Sequence, residues 1–262
     1  MTKFSDYANI FRFAKLTRDE GILEIRFHTN EGVLQWDLEA HAELGKIFRA
    51  VSEDRENRVV ILTGTGDAFT GPRANPVVAV ASHSSLTSPQ AWDRIVGDGR
   101  RLEEDLLNIE VPVIAALNGP PFRHMEIPLM SDIVISSDTA LFEDRAHFTD
   151  GNLVPGDSIH LVCATLMGWN RARYLQLMGQ TLNAKQAYDL GLVSELLPPK
   201  DVLPRAWEIA RTLTKKSTLL LRYTRAIFVH EMKKKMADHL PLGLALEGLA
   251  VTQYFSDLKQ ED

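Results

Sequence analysis

The sequence predicts an α/β fold around one core, and three observations carry that expectation. Short apolar runs closed by turn residues alternate with helical periods through the first half of the chain. After Asp157 the pattern is mostly helical, so strands and helices mix early and helices cluster late. The chain has 262 residues, 45% hydrophobic and 24% charged, which is enough for one sizeable core, and no repeat or low-complexity linker divides it.

The elements follow in order. Gly21 to Thr29 alternates apolar and polar residues as a strand does. Asp37 is placed to cap a helix running to about Asp54, with Leu38, His41, Leu44, Ile47, Phe48 and Val51 on one face. Val59-Val60-Ile61-Leu62 reads as a buried strand ending in the turn residues Thr63-Gly64-Thr65-Gly66. Residues 67–90 are loop-rich, and a helical period returns from Pro89 to about Asn108. Val111 to Leu117 is a second buried strand, closed by Asn118-Gly119-Pro120-Pro121, and Asp132 to Ser136 is a third. Gly179 ends one later helix, Asn183 caps the next and Gly191 ends it. Leu192 to Leu197 is extended, and long helices fill residues 201–255 with a break near Pro241.

Composition removes several function classes. A formal net charge of −6 argues against nucleic acid and anionic membranes as partners. The one cysteine, Cys163, lies in an apolar run and reads as a packing residue; it offers neither an internal disulfide nor a zinc cluster. Residues 1–9 are polar, with no basic-then-apolar leader, and no apolar stretch approaches the roughly 18 residues of a membrane span. The expectation is a soluble, cytoplasmic protein.

Familiar catalytic motifs are missing. His230-Glu231 opens like a zincin helix but does not complete one, there is no G-x-S-x-G or P-loop, and Gly64 and Gly66 lack the third glycine of a dinucleotide site. Three segments remain: Asp67-Ala68-Phe69-Thr70-Gly71-Pro72, Asn118 to Glu126, and Arg145-Ala146-His147 with Val154-Pro155-Gly156-Asp157. The first two leave the ends of strands, where ligands gather in layered α/β folds.

Together these segments resemble the crotonase (enoyl-CoA hydratase/isomerase) superfamily from about residue 10 to 255. The resemblance rests on Val59 to Gly64 with Phe69, Val113 to Gly119, Ser131-Asp132-Ile133 and Leu153-Val154-Pro155-Gly156 in that order. It implies the crotonase fold, a spiral of ββα repeats over residues 1–200, then C-terminal helices over 201–262 that build a homotrimer or dimer of trimers. It also implies an oxyanion hole of two backbone N–H groups, one from Gly71 and one from the position of His124.

The departures are informative. Phe122-Arg123-His124 replaces the family's glycine run, and Pro72 alters the first oxyanion loop. Glu126 matches one of the usual glutamates, but the region of the second reads Ala146-His147-Phe148-Thr149-Asp150. These changes are similar to those in β-diketone hydrolases of the 6-oxocamphor hydrolase type, whose site the positions of Trp36, His124, His147, Asp157 and Glu247 match. That resemblance implies retro-Claisen hydrolysis of a cyclic β-diketone to a keto acid, with no metal or organic cofactor. In this reading His147 is the general base, Asp157 its orienting acid, and His124 and the Trp36 indole are oxyanion donors, with Glu247 and Gly71 at the substrate.

Alternatives stay open at this point. Asp157 also suits the cap of a helix starting near Ser158, Trp36 suits a core, Glu247 suits a subunit interface, and Glu126 suits a core-facing acid without a chemical role. The remaining histidines, His41 among them, read as structural or exposed. A CoA-dependent crotonase enzyme is the rival activity, and a non-catalytic or RNA-binding member a third.

Overall fold

The computed structural model describes residues 2–73, 88–149, 151 and 153–261, with side chains described as far as residue 253. Among the described residues six strands form the main sheet: β1 (Ala14–Asp19), β2 (Ile22–Phe27), β3 (Val59–Thr63), β4 (Val113–Leu117), β5 (Ile133–Ser137) and β8 (Glu195–Leu197), side by side in that order. Only β1 and β2 pair antiparallel; every other neighbour is parallel. A short antiparallel pair, β6 (Leu141–Phe142) with β7 (Leu182–Asn183), lies apart.

Strands β3 and β4 are almost wholly apolar because helices cover both faces of the sheet. Alternate residues point to opposite sides. Leu23, Ile25, Val60, Leu62, Val113, Ala115 and Leu117 face the larger core, which includes α2 (Leu38–Glu53), α3 (Pro89–Asn108) and α5 (Ile159–Met167). Ile22, Val59, Ile61, Ile114, Ala116 and Ile135 face Val202, Ala206 and Ala210 of α8 (Pro199–Leu213). The first C-terminal helix is therefore the second cover of the sheet, and residues 199–213 belong to its core.

Asp37 caps α2 as expected, accepting from the Ala40 N–H at 2.7 Å. Of the predicted inner face, Leu38 is the exception: it is half exposed at the first turn, where the helix has not yet reached the core. Strand β1 was not anticipated, and Cys163 is buried and free, as its apolar run indicated. Asn183 caps α7 (Ala184–Asp189), α6 (Trp169–Leu177) ends before Gly179, and Gly191 follows α7 in left-handed backbone.

The expected break at Pro241 does not occur. Helix α9 (Thr218–Glu261) runs through it, because burial of Leu240 and Leu244 on either side compensates for the loss of one backbone hydrogen bond. Toward its start, α9 leaves Leu219, Leu220, Tyr223, Ile227 and Phe228 exposed. Among the described residues no helix is long and apolar enough to cross a membrane.

Candidate active site

The exits of β3 and β4 are zipped together. Asn118 accepts the Gly64 N–H at 2.9 Å and donates to the carbonyls of Gly66 and Ala68. The Phe122 N–H donates to the Thr70 carbonyl, and the Thr70 hydroxyl donates to the Arg123 carbonyl at 2.6 Å. This lattice sets the next residue, His124, in left-handed backbone with φ 50°. Glycine adopts that conformation freely and a histidine only uncommonly.

Gly71 does not serve as expected. Its N–H donates to the Leu34 carbonyl at 2.9 Å, and its carbonyl accepts from Trp36 at 2.8 Å. Gly71 thus ties the first loop to the segment before α2, and its N–H is not offered to a ligand. Through that tie Trp36 is placed over His124, with ring centroids 4.1 Å apart and planes tilted by 31°. Among the described residues no acceptor lies on the Trp36 indole N–H. His41 from α2 completes the aromatic wall, 5.3 Å from the His124 ring.

His147 sits at a kink (φ −95°, ψ −105°) in the wide turn Arg145–Thr149. Its Nδ1 is 2.8 Å from Oδ1 of Asp144, three residues earlier, and its Nε2 is 3.2 Å from Oδ2 of Asp157. The orienting carboxylate on Nδ1 is therefore Asp144, and Asp157 stands on the opposite ring nitrogen. Asp157 has its own two-sided placement. Its Oδ1 lies 3.5 Å from the Ile159 N–H at the start of α5, a loose cap. Its Oδ2 has no aligned hydrogen bond, although it is an ion-pair distance from His147 and 3.4 Å from His124 Nδ1.

Glu247 reaches this centre because α9 presses on the 154–157 loop. A Cβ on Gly156 would lie 2.4 Å from the Gly243 carbonyl oxygen, and one on Gly243 would lie 2.3 Å from the Gly156 carbonyl oxygen. Two glycines are needed for that approach. Trp92 of α3 fixes the helix from the other side by donating to the Leu244 carbonyl at 3.1 Å. Trp36, His41, His124, His147, Asp157 and Glu247 all line one cavity of about 150 Å³.

Burial and mutual charge set the protonation states. Burial alone would lower the pKa of His147, but Asp144 and Asp157 outweigh it and hold the group well above the ordinary histidine value. Burial would raise Asp157; His147 and, more weakly, His124 overcome that and hold it well below the carboxylate range. The two form an imidazolium–carboxylate pair, so His147 is not the near-neutral free base expected from sequence. His124 is pushed down to about 4, chiefly by burial, and is neutral. Glu126, fully buried and beside Asp157, is pushed well up, and burial raises Glu247 to about 8. Glu103 on α3 is likewise raised well above its usual value by burial, the third acid near the site shifted in this direction.

One imidazole and two carboxylates, from His124, Glu126 and Asp157, bring ligand atoms within 4.8 Å of one another, the donor set of a divalent cation. The donor atoms are engaged with neighbouring groups, Glu126 Oε1 lying 2.6 Å from His124 Nδ1 and Asp157 Oδ2 3.2 Å from His147 Nε2. Sequence reasoning missed Asp144, Glu103 and the cavity role of His41. Only Asp144 carried a signal, an acid three residues before a catalytic candidate in the same turn.

The enoyl-CoA hydratase/isomerase family pattern matches residues 17–260. A β-diketone hydrolase from the cyanobacterium Anabaena sp. PCC 7120, solved with (S)-3-oxocyclohexyl acetic acid bound, is 40% identical, with a TM-score of 0.88 over 96% of this chain and 97% of its own. An enoyl-CoA hydratase/isomerase from Mycobacterium paratuberculosis is 20% identical, with a TM-score of 0.82 over 93% of this chain and 95% of its own. A probable enoyl-CoA hydratase of Mycobacterium bovis is 28% identical over 198 residues, 72% of this chain and 67% of the relative. With the strand order and paired loop exits described above, these matches place the chain in the enoyl-CoA hydratase/isomerase family, the crotonase superfamily.

Proposed function

We propose that this protein is a cofactor-independent β-diketone hydrolase that cleaves a carbon–carbon bond of a small cyclic substrate. The observation that carries the reading is the Asp157 carboxylate set between the His147 imidazolium and neutral His124 in a cavity of about 150 Å³, the scale of one small ring. The 40% identity to a β-diketone hydrolase supports it. The His124 imidazole also fills space that a thioester carbonyl would need beside the family's oxyanion backbone.

The chemistry follows from the charge states. Asp157 Oδ2, 3.2 Å from His147 Nε2 and 3.4 Å from His124 Nδ1, holds the attacking water through its remaining lone pair. Water oxygen bonds to the first ketone carbon while its proton passes to the Asp157–His147 pair. His124 donates to the resulting oxyanion, the type of stabilisation that dominates such reactions. The oxyanion then re-forms a carbonyl, giving the carboxylic acid, and the bond to the central carbon breaks with its electrons moving onto the second ketone as an enolate. Protonated Glu247 and the aromatic wall bound the enolate. The pair returns the proton to carbon, so diketone plus water gives keto acid and the site is restored. His147 and Asp157 thus act as one acid–base unit, with Asp144 orienting the ring.

In this reading the partner is a small neutral diketone, and neither nucleic acid nor membrane is required. The exposed apolar start of α9 supports association between copies of this chain, which in this reading form a homotrimer or dimer of trimers. The functional test is incubation with a panel of cyclic 1,3-diketones and enoyl-CoA esters. Loss of diketone ultraviolet absorbance with release of keto acid is expected; hydration of an enoyl-CoA ester with diketones untouched overturns the reading in favour of a CoA-dependent enzyme.

A further inference from the structure

The geometry points to Glu126 as the residue that selects the tautomer of His124, donating its carboxyl hydrogen to Nδ1 so that Nε2 carries the hydrogen offered to the substrate oxygen. The inference rests on the diketone-hydrolase reading and gives a role to an acid that the reaction itself does not consume.

Glu126 opens the four-residue helix α4 (Glu126–Leu129), two residues beyond His124, and is 1% exposed. Its Oε1 lies 2.6 Å from His124 Nδ1, so one hydrogen is shared between these atoms. Two placements are possible. With the hydrogen on Nδ1, Nε2 is an acceptor and repels a developing oxyanion. With the hydrogen on the carboxyl, Nδ1 accepts, and the neutral ring must carry its own hydrogen on Nε2.

The surroundings decide between them. A Glu126 carboxylate would be buried beside the ionised Asp157, and like charges at such range resist joint ionisation. Burial first, and then the His147 imidazolium and Arg123 guanidinium, keep His124 from taking a second proton against the pull of Asp157. Both effects leave the hydrogen on Glu126, in line with its raised proton affinity.

Glu126 also has a competitor. Asp157 Oδ2 lies 3.4 Å from the same Nδ1 and is an acceptor only. Without a donor at position 126, Asp157 would draw the ring hydrogen to Nδ1 and leave Nε2 bare. Glu126 is thus a positioning residue that acts through His124, at the place where the family pattern puts a reacting glutamate.

Two variants separate this role from a direct one. The Gln amide of Glu126→Gln still donates to Nδ1, whereas Glu126→Leu fills the space and cannot donate. Diketone kinetics on Glu126→Gln should stay within about tenfold of wild type, while Glu126→Leu should lose about 10²–10³-fold in kcat with KM little changed, the usual cost of one lost oxyanion donor. Nitrogen-15 NMR of labelled histidine should show His124 with Nε2 protonated in wild type and Glu126→Gln, and with Nδ1 protonated in Glu126→Leu. Loss of activity in Glu126→Gln with the Nε2 hydrogen retained would make Glu126 a reacting acid and overturn the proposal, as would an Nδ1-protonated wild-type ring. If wild type cleaves no diketone, the functional reading fails, while the NMR result still decides the tautomer claim.

Discussion

Asp144→Asn tests the charge logic of the site more sharply than deleting a histidine. The substitution preserves shape and keeps an oxygen that can accept from His147 Nδ1, but removes a unit charge 2.8 Å away. A close opposite charge raises a histidine pKa by about 1–3 units, or roughly 1.4–4 kcal/mol in favour of the imidazolium. Asp144 is one of two such partners, so its loss should bring His147 down toward neutrality while leaving the Asp157 pairing. Below the new pKa the imidazolium is still present; as pH rises through it the site loses the positive charge that holds Asp157 ionised and offsets the negative charge developing on the substrate. The alkaline fall of kcat should therefore move to lower pH by about one to three units, and turnover at neutral pH should drop about 10–10³-fold. The assay is the initial rate of diketone loss across the neutral and alkaline range, with circular dichroism to confirm the fold. Full turnover with an unmoved alkaline limb would refute the assignment of Asp144 and the imidazolium state of His147.

Three further outcomes follow. His147→Ala should lower kcat by roughly 10²–10⁴-fold and, by leaving the buried Asp144 and Asp157 carboxylates without their cation, should destabilise the fold by about 3–5 kcal/mol; His124→Ala should lower kcat by about 10²–10³-fold and leave stability within about 1–2 kcal/mol, because its side chain faces the cavity. Stopped-enzyme kinetics and denaturant melts check them, and more than half of wild-type turnover in either contradicts the site. Glu247→Gln should stabilise the fold increasingly as pH rises from the acid's ordinary value of 4.5 to its buried value of about 8. Over that window the native state holds a proton the unfolded state has released, which costs wild type stability that the amide never loses. Melting temperatures at acid and alkaline pH measure this, and an equal shift at both would count against a neutral Glu247. Light scattering at micromolar concentration should give a multiple of three chains, and a clean monomer would contradict assembly through the apolar start of α9.

Much of this arrangement was legible in sequence because local physics dictated it. Continuous apolar runs gave β3 and β4, since strands covered on both faces cannot alternate, and Asp37 and Asn183 announced helix starts through their caps. Strand β1 escaped because Lys15, Thr17, Arg18 and Asp19 make it look like surface chain, although Ala14 and Leu16 are buried. Pro241 misled because its effect on a helix was judged without the buried neighbours that hold α9 together.

In the site, His124, His147, Asp157, Trp36 and Glu247 were brought to one cavity from positions spread over 36–247, which only tertiary packing achieves. Their charge states were not legible. They depend on Asp144, on the depth of Glu126 and on how α9 seats Glu247, none of which spacing reveals. Gly71 was misread for a similar reason: an N–H in a family oxyanion loop is useful only if no carbonyl takes it, and here Leu34 does.

The central claim is hydrolysis of a carbon–carbon bond by water held at Asp157, and oxygen-18 water tests it directly. The purified protein is incubated with a cyclic 1,3-diketone in labelled water and the product is analysed by mass spectrometry. The account predicts a ring-opened keto acid with one oxygen-18 in its carboxylate from a single turnover, formed by wild type and lost in Asp157→Ala. Intact diketone beside hydrated enoyl-CoA ester, or a keto acid formed equally well by Asp157→Ala, would contradict it.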